Sequence, residues 1–293
     1  MKPKFFLQII DHQRSLASSS EPGSFQGPSS YPQLCWWSLI FVLAFIAGCS
    51  SITGGLSRDK QQPPDAAARA EAHAVLLAMR NHNAKLNNFK GIGKIKVWQK
   101  GRLKIDERVA WIGSENSKIN IVVLIGGYPA VKIASDGKWF YYYEIGEGDP
   151  IYKKIAASDA NLKRIISISI QTGDVLNLLA GRVPIREHDS VILEKQEAKQ
   201  GYALVLKKRW WGVAEKIYVD ETKTRAHQVE FYNRSGSLIY RARFDEMQMI
   251  KGYLVPARLS ISNGDDADFE LDVNRYWADV EVTSSMFVLN PPD

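Results

Sequence analysis

Apolar and polar residues alternate with a period of two along most of the chain beyond residue 89. Ile95 and Val97 alternate with lysines, and Leu103 and Ile105 alternate with basic and acidic residues. Such alternation is typical of antiparallel strands that bury one face and expose the other. It predicts about 11 strands, at 91–99, 102–111, 118–123, 139–145, 191–194, 202–210, 215–219, 228–231, 238–247, 253–262 and 268–277.

Two segments depart from this period. Residues 66–86 are alanine-rich and place Val75, Leu76, Met79 and Leu86 near helical spacing, which predicts an amphipathic helix. Residues 159–179 break the strand pattern and are helical or irregular, with Gly181 and Pro184 ending them. The pattern therefore predicts a mainly β, α+β fold: one large antiparallel sheet with helices packed on its concave side.

The N-terminal region carries a different signal. An apolar run at 34–47 is followed by Gly48 and Cys49 and then by small and polar residues. This run is shorter than the roughly 20 residues that span a bilayer, and it fits the apolar region of a signal peptide. The favoured interpretation is a lipoprotein signal in which Cys49 becomes the lipidated first residue; the alternative is a single membrane anchor with an incidental cysteine. The predicted organisation is an N-terminal extension and signal at 1–48, a flexible tether at 49–68 and one domain at 69–293.

The charge and cysteine content of the chain restrict the partners and the types of site that it can have. The net charge is +6, and basic and acidic residues are interspersed, which indicates a solvated surface and gives no support for nucleic-acid binding. The mild basic excess favours anionic lipid headgroups. The two cysteines, Cys35 and Cys49, lie in the signal and at its end, so a mature chain has no internal disulfide, cysteine nucleophile or cysteine-based zinc site.

No catalytic or metal-binding motif is evident. The five histidines, at 12, 73, 82, 188 and 227, lack metal-ligand spacing. Asp265, Asp266 and Asp268 favour a solvated turn over a calcium site. There is no nucleophile elbow or phosphate-binding glycine loop, although the abundant carboxylates leave a paired-acid glycosidase open. We expect no enzyme, no metal and no cofactor.

Several short stretches, taken in order, resemble a known family. The turn at 135–138 is followed by the aromatic run 139–143, and an apolar strand end lies at 124–126. Further stretches lie at 178–184, 254–256, 261–264 and 271–277. This order resembles the periplasmic lipoprotein carriers and acceptors of the LolA/LolB type.

The resemblance carries expectations about fold and function. It implies an open half-barrel lidded by helices, with an apolar hollow that binds the acyl chains of lipoproteins or lipids. A version lipidated at Cys49 would be an outer-membrane acceptor on the periplasmic face, supplied by a LolA-like carrier. In this family an aspartate directly after the lipidated cysteine is the signal for retention in the inner membrane. Ser50 stands at that position, which favours the outer membrane. Leu124 and Ile125 correspond to an apolar loop that faces the membrane. The alternative is a structural or assembly lipoprotein that docks a protein partner with the same fold.

The predicted groove combines strand and helix residues. Period-two geometry puts Trp139, Tyr141 and Tyr143 on one face of their strand and Phe140 and Tyr142 on the other. One of these sets is predicted to belong to the core, and the other to line a lipid hollow or to be exposed. The candidate acyl-chain residues are Val97, Ile105, Val109, Ile121, Val123, Trp139, Tyr141, Leu176 and Leu179. The pair Trp210–Trp211 fits either a bilayer interface or ordinary packing.

Overall fold

The computed structural model describes residues 65–145, 149–157, 162, 167–196, 201–264 and 267–291. The predicted signal, Cys49 and most of the predicted tether lie outside these residues. The first helix begins at Ala66, so residues 66–68, assigned above to the tether, are its first residues. No helix in the described ranges is long and apolar enough to cross a membrane.

Thirteen antiparallel strands form one open sheet in the described part of the chain. They are β1 Phe89–Gln99, β2 Arg102–Ser114, β3 Lys118–Ile125, β4 Tyr128–Asp136, β5 Trp139–Glu144, β6 Ile151–Ala156, β7 Ser190–Lys195, β8 Tyr202–Lys208, β9 Gly212–Val219, β10 Ala226–Tyr232, β11 Leu238–Ile250, β12 Tyr253–Ser262 and β13 Ala267–Ala278. Two α-helices, α1 Ala66–Asn81 and α2 Thr172–Leu179, and a C-terminal 3-10 helix, Ser284–Phe287, accompany the sheet.

The strand order places the first and last strands in the middle of the sheet. It reads β6-β5-β4-β3-β2-β1-β13-β12-β11-β10-β9-β8-β7, so β1 pairs with β13 at the centre and β6 and β7 form the two edges. Because the edges do not pair, the sheet is open, consistent with the expected half-barrel. Register shifts leave one extra residue in β13 opposite β1 and one in β11 opposite β12, and such bulges bend and twist a strand.

Two strands were missed from the sequence, so the prediction of about 11 is corrected to 13. β4 begins with Tyr128-Pro129 directly after two glycines, a sequence that is typical of a turn. β6 is an edge strand in which no residue is fully buried, so its pattern shows little alternation between apolar and polar residues. Both strands lie in the N-terminal half of the sheet.

One face of the sheet carries the hydrophobic core, and we call it the inner face. In β1 it holds Phe89, Gly91, Ile95 and Val97, while the intervening lysines face outwards. Glycine is required at one point because a Cβ on Gly91 would lie 2.2 Å from Cζ2 of Trp111. The ring of Trp111 therefore packs flat across β1 instead of standing away from it.

Helix α1 packs against β7 and β8. Its buried side chains, Ala72, Val75, Leu76 and Met79, join the same apolar cluster as the inner-face residues of these strands. The helix was expected to extend to residue 86 but ends at Asn81. Asn83 adopts a positive φ of 51°, and its side-chain amide donates to the carbonyl oxygens of Ala180 and Leu254 at 2.9 and 2.7 Å. Asn83 thus follows the end of α1 and connects it by hydrogen bonds to the backbone at Ala180 and Leu254.

The chain crosses from β6 to β7 over the inner face. Helix α2 lies within this crossing and contacts β3 and β12. Its first residues lie near Tyr240 of β11, while at its end the carbonyl of Leu179 accepts a hydrogen bond from Tyr276 of β13 at 3.2 Å. The crossing was predicted as helical or irregular at 159–179. Its described helix is α2 alone, and Ile165 and Ile166 lie outside the described residues.

The C-terminal segment covers part of the opposite, outer face. The side-chain amide of Asn120 donates to the carbonyl of Met286 at 2.6 Å, and the Tyr152 hydroxyl donates to the carbonyl of Leu289 at 2.9 Å. Phe287 is buried there. This segment gives the outer face of β3–β6 a small apolar contact that the alternation pattern alone does not predict.

Candidate functional site

The strand register brings the predicted aliphatic groove residues together on the inner face. Val97 lies opposite Ile105, and Val109 lies opposite Val123 in the neighbouring pair of strands. Ile121 lies opposite Trp111. Directly opposed residues in an antiparallel pair share a face, so these side chains form one continuous apolar surface.

Helix α2 lies over this surface. Leu176 and Leu179 are buried beneath it, as is Leu178. A Cβ on Gly113 would lie 2.4 Å from the ring of Phe89 and 2.7 Å from Cδ1 of Leu176. The missing side chain of Gly113 thus creates the depression in β2 into which α2 inserts a leucine.

Trp139 and Tyr141 do not lie with the other candidates. The register of β4 with β5 pairs Ile133 with Tyr142 and Ser135 with Phe140, so Phe140 and Tyr142 face inwards. Trp139 and Tyr141 face outwards, where the ammonium group of Lys154 lies 4.7 and 5.4 Å from the centres of their rings. The separation into two aromatic sets was predicted, but the choice of inner set was wrong. That choice depends on the neighbouring strand, not on β5 itself.

Leu124 and Ile125 are the last residues of β3 and are partly buried. The turn that follows consists of Gly126 and Gly127, both with positive φ, as in tight two-residue hairpins. The predicted membrane-facing loop is therefore a tight hairpin end. Its most exposed large side chain is Tyr128, which is 79% exposed.

A polar cluster lies at the start of α2, within the apolar inner face. The Asp174 carboxylate accepts hydrogen bonds from the Arg186 guanidinium and, at 3.0 Å, from the Tyr240 hydroxyl. The Arg186 guanidinium also lies 4.7 Å from the centre of the Phe231 ring. The backbone N–H of Arg186 donates to Oε2 of Glu215 at 2.8 Å. These contacts hold α2 to β9, β10 and β11, and we call Asp174, Arg186, Glu215 and Tyr240 the inner polar cluster.

Glu215 is unusual within this cluster. It is fully buried, and its Oε1 atom has no hydrogen-bond partner in the described structure. Burial raises the pKa of its carboxyl to about 8, despite the hydrogen bond and the positive charge of Arg186, which act in the opposite direction. The side chain is therefore mostly protonated at neutral pH.

The sequence analysis did not identify this cluster, although one signal was present. Glu215 shares its strand face with Ile217 and Val219. A carboxyl group therefore stands in a series of alternate positions that are otherwise apolar. Asp174 likewise interrupts an apolar helical run. Arg186 carries no such signal because it lies in an irregular segment whose path is set by the folded structure.

Most of the predicted groove residues are buried in this conformation: Val97, Ile105, Val109, Val123, Leu176 and Leu179 are at most 8% exposed. Where α1 meets β11 and β12, a small cavity of about 10 Å³ is lined by Met79, His82, Val183, Met247 and neighbouring residues. This is room for about one water molecule. An acyl chain at the predicted groove residues therefore requires displacement of α2 and the adjoining segment.

No set of three or more His, Cys, Asp or Glu side chains placed to hold a metal ion occurs in the described ranges. His73, His82, His188 and His227 lie on separate elements or loops. Asp265 and Asp266 lie outside the described residues.

Comparison with known proteins identifies relatives by structure alone. No protein-family model and no curated protein matches the chain. A DUF1329 family protein from Desulfovibrio piger is similar over 75% of this chain and 97% of its own, with 11% identity and a TM-score of 0.52. This similarity shows that the two proteins share a fold.

Two further solved structures resemble the chain more weakly. A LolA superfamily protein from Nitrosomonas europaea has 14% identity and a TM-score of 0.48, covering 74% of this chain and 97% of its own. A putative outer membrane lipoprotein-sorting protein domain from Vibrio parahaemolyticus has 11% identity and a TM-score of 0.44, covering 76% and 97%.

Proposed function

We propose that the protein is a lipid-anchored carrier or acceptor that binds acyl chains of lipoproteins or lipids on its inner face and helps to place them in the outer membrane. The observation that carries this proposal is the continuous apolar surface of β1, β2 and β3 beneath a helix of only eight residues. The proposed activity is binding and transfer, with no catalytic step.

The energetics favour exchange of the helix for a ligand. The three buried leucines of α2 contribute about 2 kcal/mol each to the covering contact, or about 6 kcal/mol together. An acyl chain of about 16 carbons yields about 0.8 kcal/mol for each buried methylene, or about 12 kcal/mol. The free energy gained by burying an acyl chain therefore exceeds the free energy lost when the helix contact is broken. A membrane can in turn compete for the chain.

The anchor and the location are parts of the proposal that rest on the sequence pattern around Cys49. If Cys49 carries the lipid, Cys49→Ala will abolish incorporation of labelled palmitate and release the protein from membranes unless the apolar run at 34–47 retains it. Depletion of the protein, followed by fractionation of other lipoproteins, tests the acceptor role. Unchanged delivery of all of them would contradict that role unless another acceptor substitutes.

Binding is tested with two neighbouring residues of β3. Ile121 faces inwards and Val122 faces outwards, and both are partly buried. Ile121→Asp should weaken the affinity for a fluorescent acyl probe at least tenfold, since about 1.4 kcal/mol is a modest penalty for placing a carboxylate against an acyl chain. Val122→Asp is the matched control and should leave the affinity unchanged. Wild-type protein that binds no probe and retains no lipid in native mass spectrometry would contradict the proposal.

A second candidate function is favoured by the burial of the predicted groove residues. With these side chains packed beneath α2, the sheet can also serve as a platform on which a protein partner docks. In that case neither β3 variant will affect acyl binding, because none will occur. The same experiment therefore separates the two functions.

A further inference from the structure

The hairpin that joins β8 to β9 exposes an aromatic side chain to an unusual degree. Trp210 is 91% exposed. The neighbouring Trp211 is partly buried, and the Arg234 guanidinium lies 5.2 Å from its ring centre. The backbone N–H of Arg209 donates to the Asp189 carboxylate at 2.7 Å, which fixes the turn. An ordered turn thus holds one indole in solvent.

Basic residues lie close to Trp210 in the sequence and on the adjacent hairpin. Lys207 and Arg209 precede it, and Arg234 belongs to the hairpin between β10 and β11. None of the three forms a salt bridge with a described residue. Lys208 does, pairing with the exposed Glu187 at 3.1 Å. The tip therefore combines an exposed aromatic ring with three cationic side chains that form no salt bridge of their own, beside the carboxylates of Asp189 and Glu187.

The sheet topology places other exposed apolar side chains at the same rim. Because neighbouring strands are antiparallel, the turns β1–β2, β3–β4, β8–β9 and β10–β11 all lie at one end of the sheet. Tyr128, 79% exposed, follows the β3–β4 turn, and Leu103, also exposed, follows the β1–β2 turn. Trp210 and Tyr128 are the two most exposed large apolar or aromatic side chains in the described ranges.

We propose that this rim docks on the surface of an anionic phospholipid membrane, with Trp210 in the headgroup layer and Lys207, Arg209 and Arg234 against lipid phosphates. Tryptophan and tyrosine prefer the membrane interface because they have an apolar ring and a polar edge. Lysine and arginine are attracted to anionic lipids at short range. The contact is separate from cargo binding and does not depend on the proposed function.

A single-site fluorescence experiment on the full chain tests this proposal. Cys35 and Cys49 are replaced by serine, and one new cysteine, Trp210→Cys or Met249→Cys, carries an environment-sensitive fluorophore. Met249 is the matched control because it is 62% exposed and precedes the β11–β12 turn, at the opposite rim. The N-terminal apolar run is present in every sample, so it cannot produce a difference between labels. Thermal unfolding confirms that both proteins are folded.

The expected result is position- and lipid-specific. Vesicles of phosphatidylcholine mixed with phosphatidylglycerol should shift the label at 210 to the blue and expose it to a quencher carried by the lipid, with little effect at 249. Replacing Lys207, Arg209 and Arg234 by glutamine should weaken this response about 100-fold, at about fivefold for each charge.

Three outcomes would overturn the proposal. One is equal quenching at both positions or at neither. Another is an equal response at 210 to vesicles of pure phosphatidylcholine. The third is a response to soluble polyglutamate as strong as that to the vesicles, which would assign the rim to an acidic protein partner.

Discussion

Two buried glutamates on neighbouring strands have opposite environments. Glu215 of β9 faces the inner side, and Glu230 of β10 faces the outer side; they are 0% and 3% exposed. Glu230 accepts hydrogen bonds from Tyr218, Gln228, Tyr232 and Arg241. Glu215 accepts one, from a backbone N–H, and its second oxygen has no partner in the described structure.

Their pKa values diverge accordingly. Burial alone would raise the pKa of Glu230, but hydrogen bonds from Tyr232, Tyr218 and Arg241 together lower it. Burial of Glu215 raises its pKa to about 8 because too few donors compensate. A fully satisfied carboxylate stabilises one conformation, whereas an incompletely satisfied one beneath a covering helix leaves that contact sensitive to pH. The outer cluster is thus structural, and the inner polar cluster is suited to a contact that opens.

The largest effect is expected at the outer cluster. Glu230→Ala leaves the guanidinium of Arg241 and two tyrosine hydroxyls without their acceptor, and it should reduce the free energy of unfolding by about 4 kcal/mol. Urea unfolding measures this. Glu246→Ala is the control, since its salt bridge with Arg258 is exposed and should contribute less than about 1 kcal/mol. Similar losses of unfolding free energy in the two variants would show that the buried outer cluster contributes no more to stability than an exposed salt bridge.

The next effect is a pH dependence from Glu215. Its pKa in the folded state lies above its usual value, so the folded state binds a proton that the unfolded state lacks between about pH 5 and 8. The contribution of Glu215 to stability should therefore be fully present below its usual pKa and fall by on the order of 3 kcal/mol as pH rises from about 5 to 8.

Glu215→Gln should remove most of that slope, which urea unfolding at several pH values will show. Glu230 provides the comparison: with a lowered pKa, its contribution is present at neutral pH and is lost only as the solution is acidified below the usual range for a carboxyl. A flat profile in the wild type between pH 5 and 8 would contradict the protonated state of Glu215.

A smaller effect is expected where the inner polar cluster holds α2. Asp174→Asn removes the negative charge that pairs with Arg186 and weakens the acceptor for Tyr240, a loss of about 2 kcal/mol. Hydrogen exchange of the α2 amides should accelerate about 30-fold as a result. Glu187→Gln, which alters the exposed pair with Lys208, should not affect α2. Equal exchange in both variants would show that the cluster does not retain the helix.

The sequence predicted the parts of the fold that depend on local alternation. The buried face of β1 follows from the alternation of its apolar and small residues with Lys90, Lys94 and Lys96. Two strands escaped detection for physical reasons: β4 starts with a proline after paired glycines, and β6 is an edge strand without a fully buried residue. In each case the hydrogen bonds to neighbouring strands define the element, and those are not visible in the segment itself.

The candidate site was predicted in part for the same reason. Val109, Ile121 and Val123 share a face. The alternation of apolar and polar residues determines which side chains of each strand lie on the same face, and the register of β2 with β3 places those faces side by side. Trp139 and Tyr141 were assigned to that face although the register of β4 with β5 turns them outwards. The inner polar cluster joins residues from a helix, a loop and two strands, so its assembly depends on tertiary contacts.

The central claim is that an acyl chain occupies the inner face once α2 moves aside. A fatty acid with a photoreactive group on its chain, irradiated with the full-length protein and mapped by peptide mass spectrometry, tests this most directly. The account predicts cross-links to Val109, Ile121 and Val123. Cross-links confined to the outward-facing Val122 and Trp139, or none above the background of unfolded protein, would contradict it.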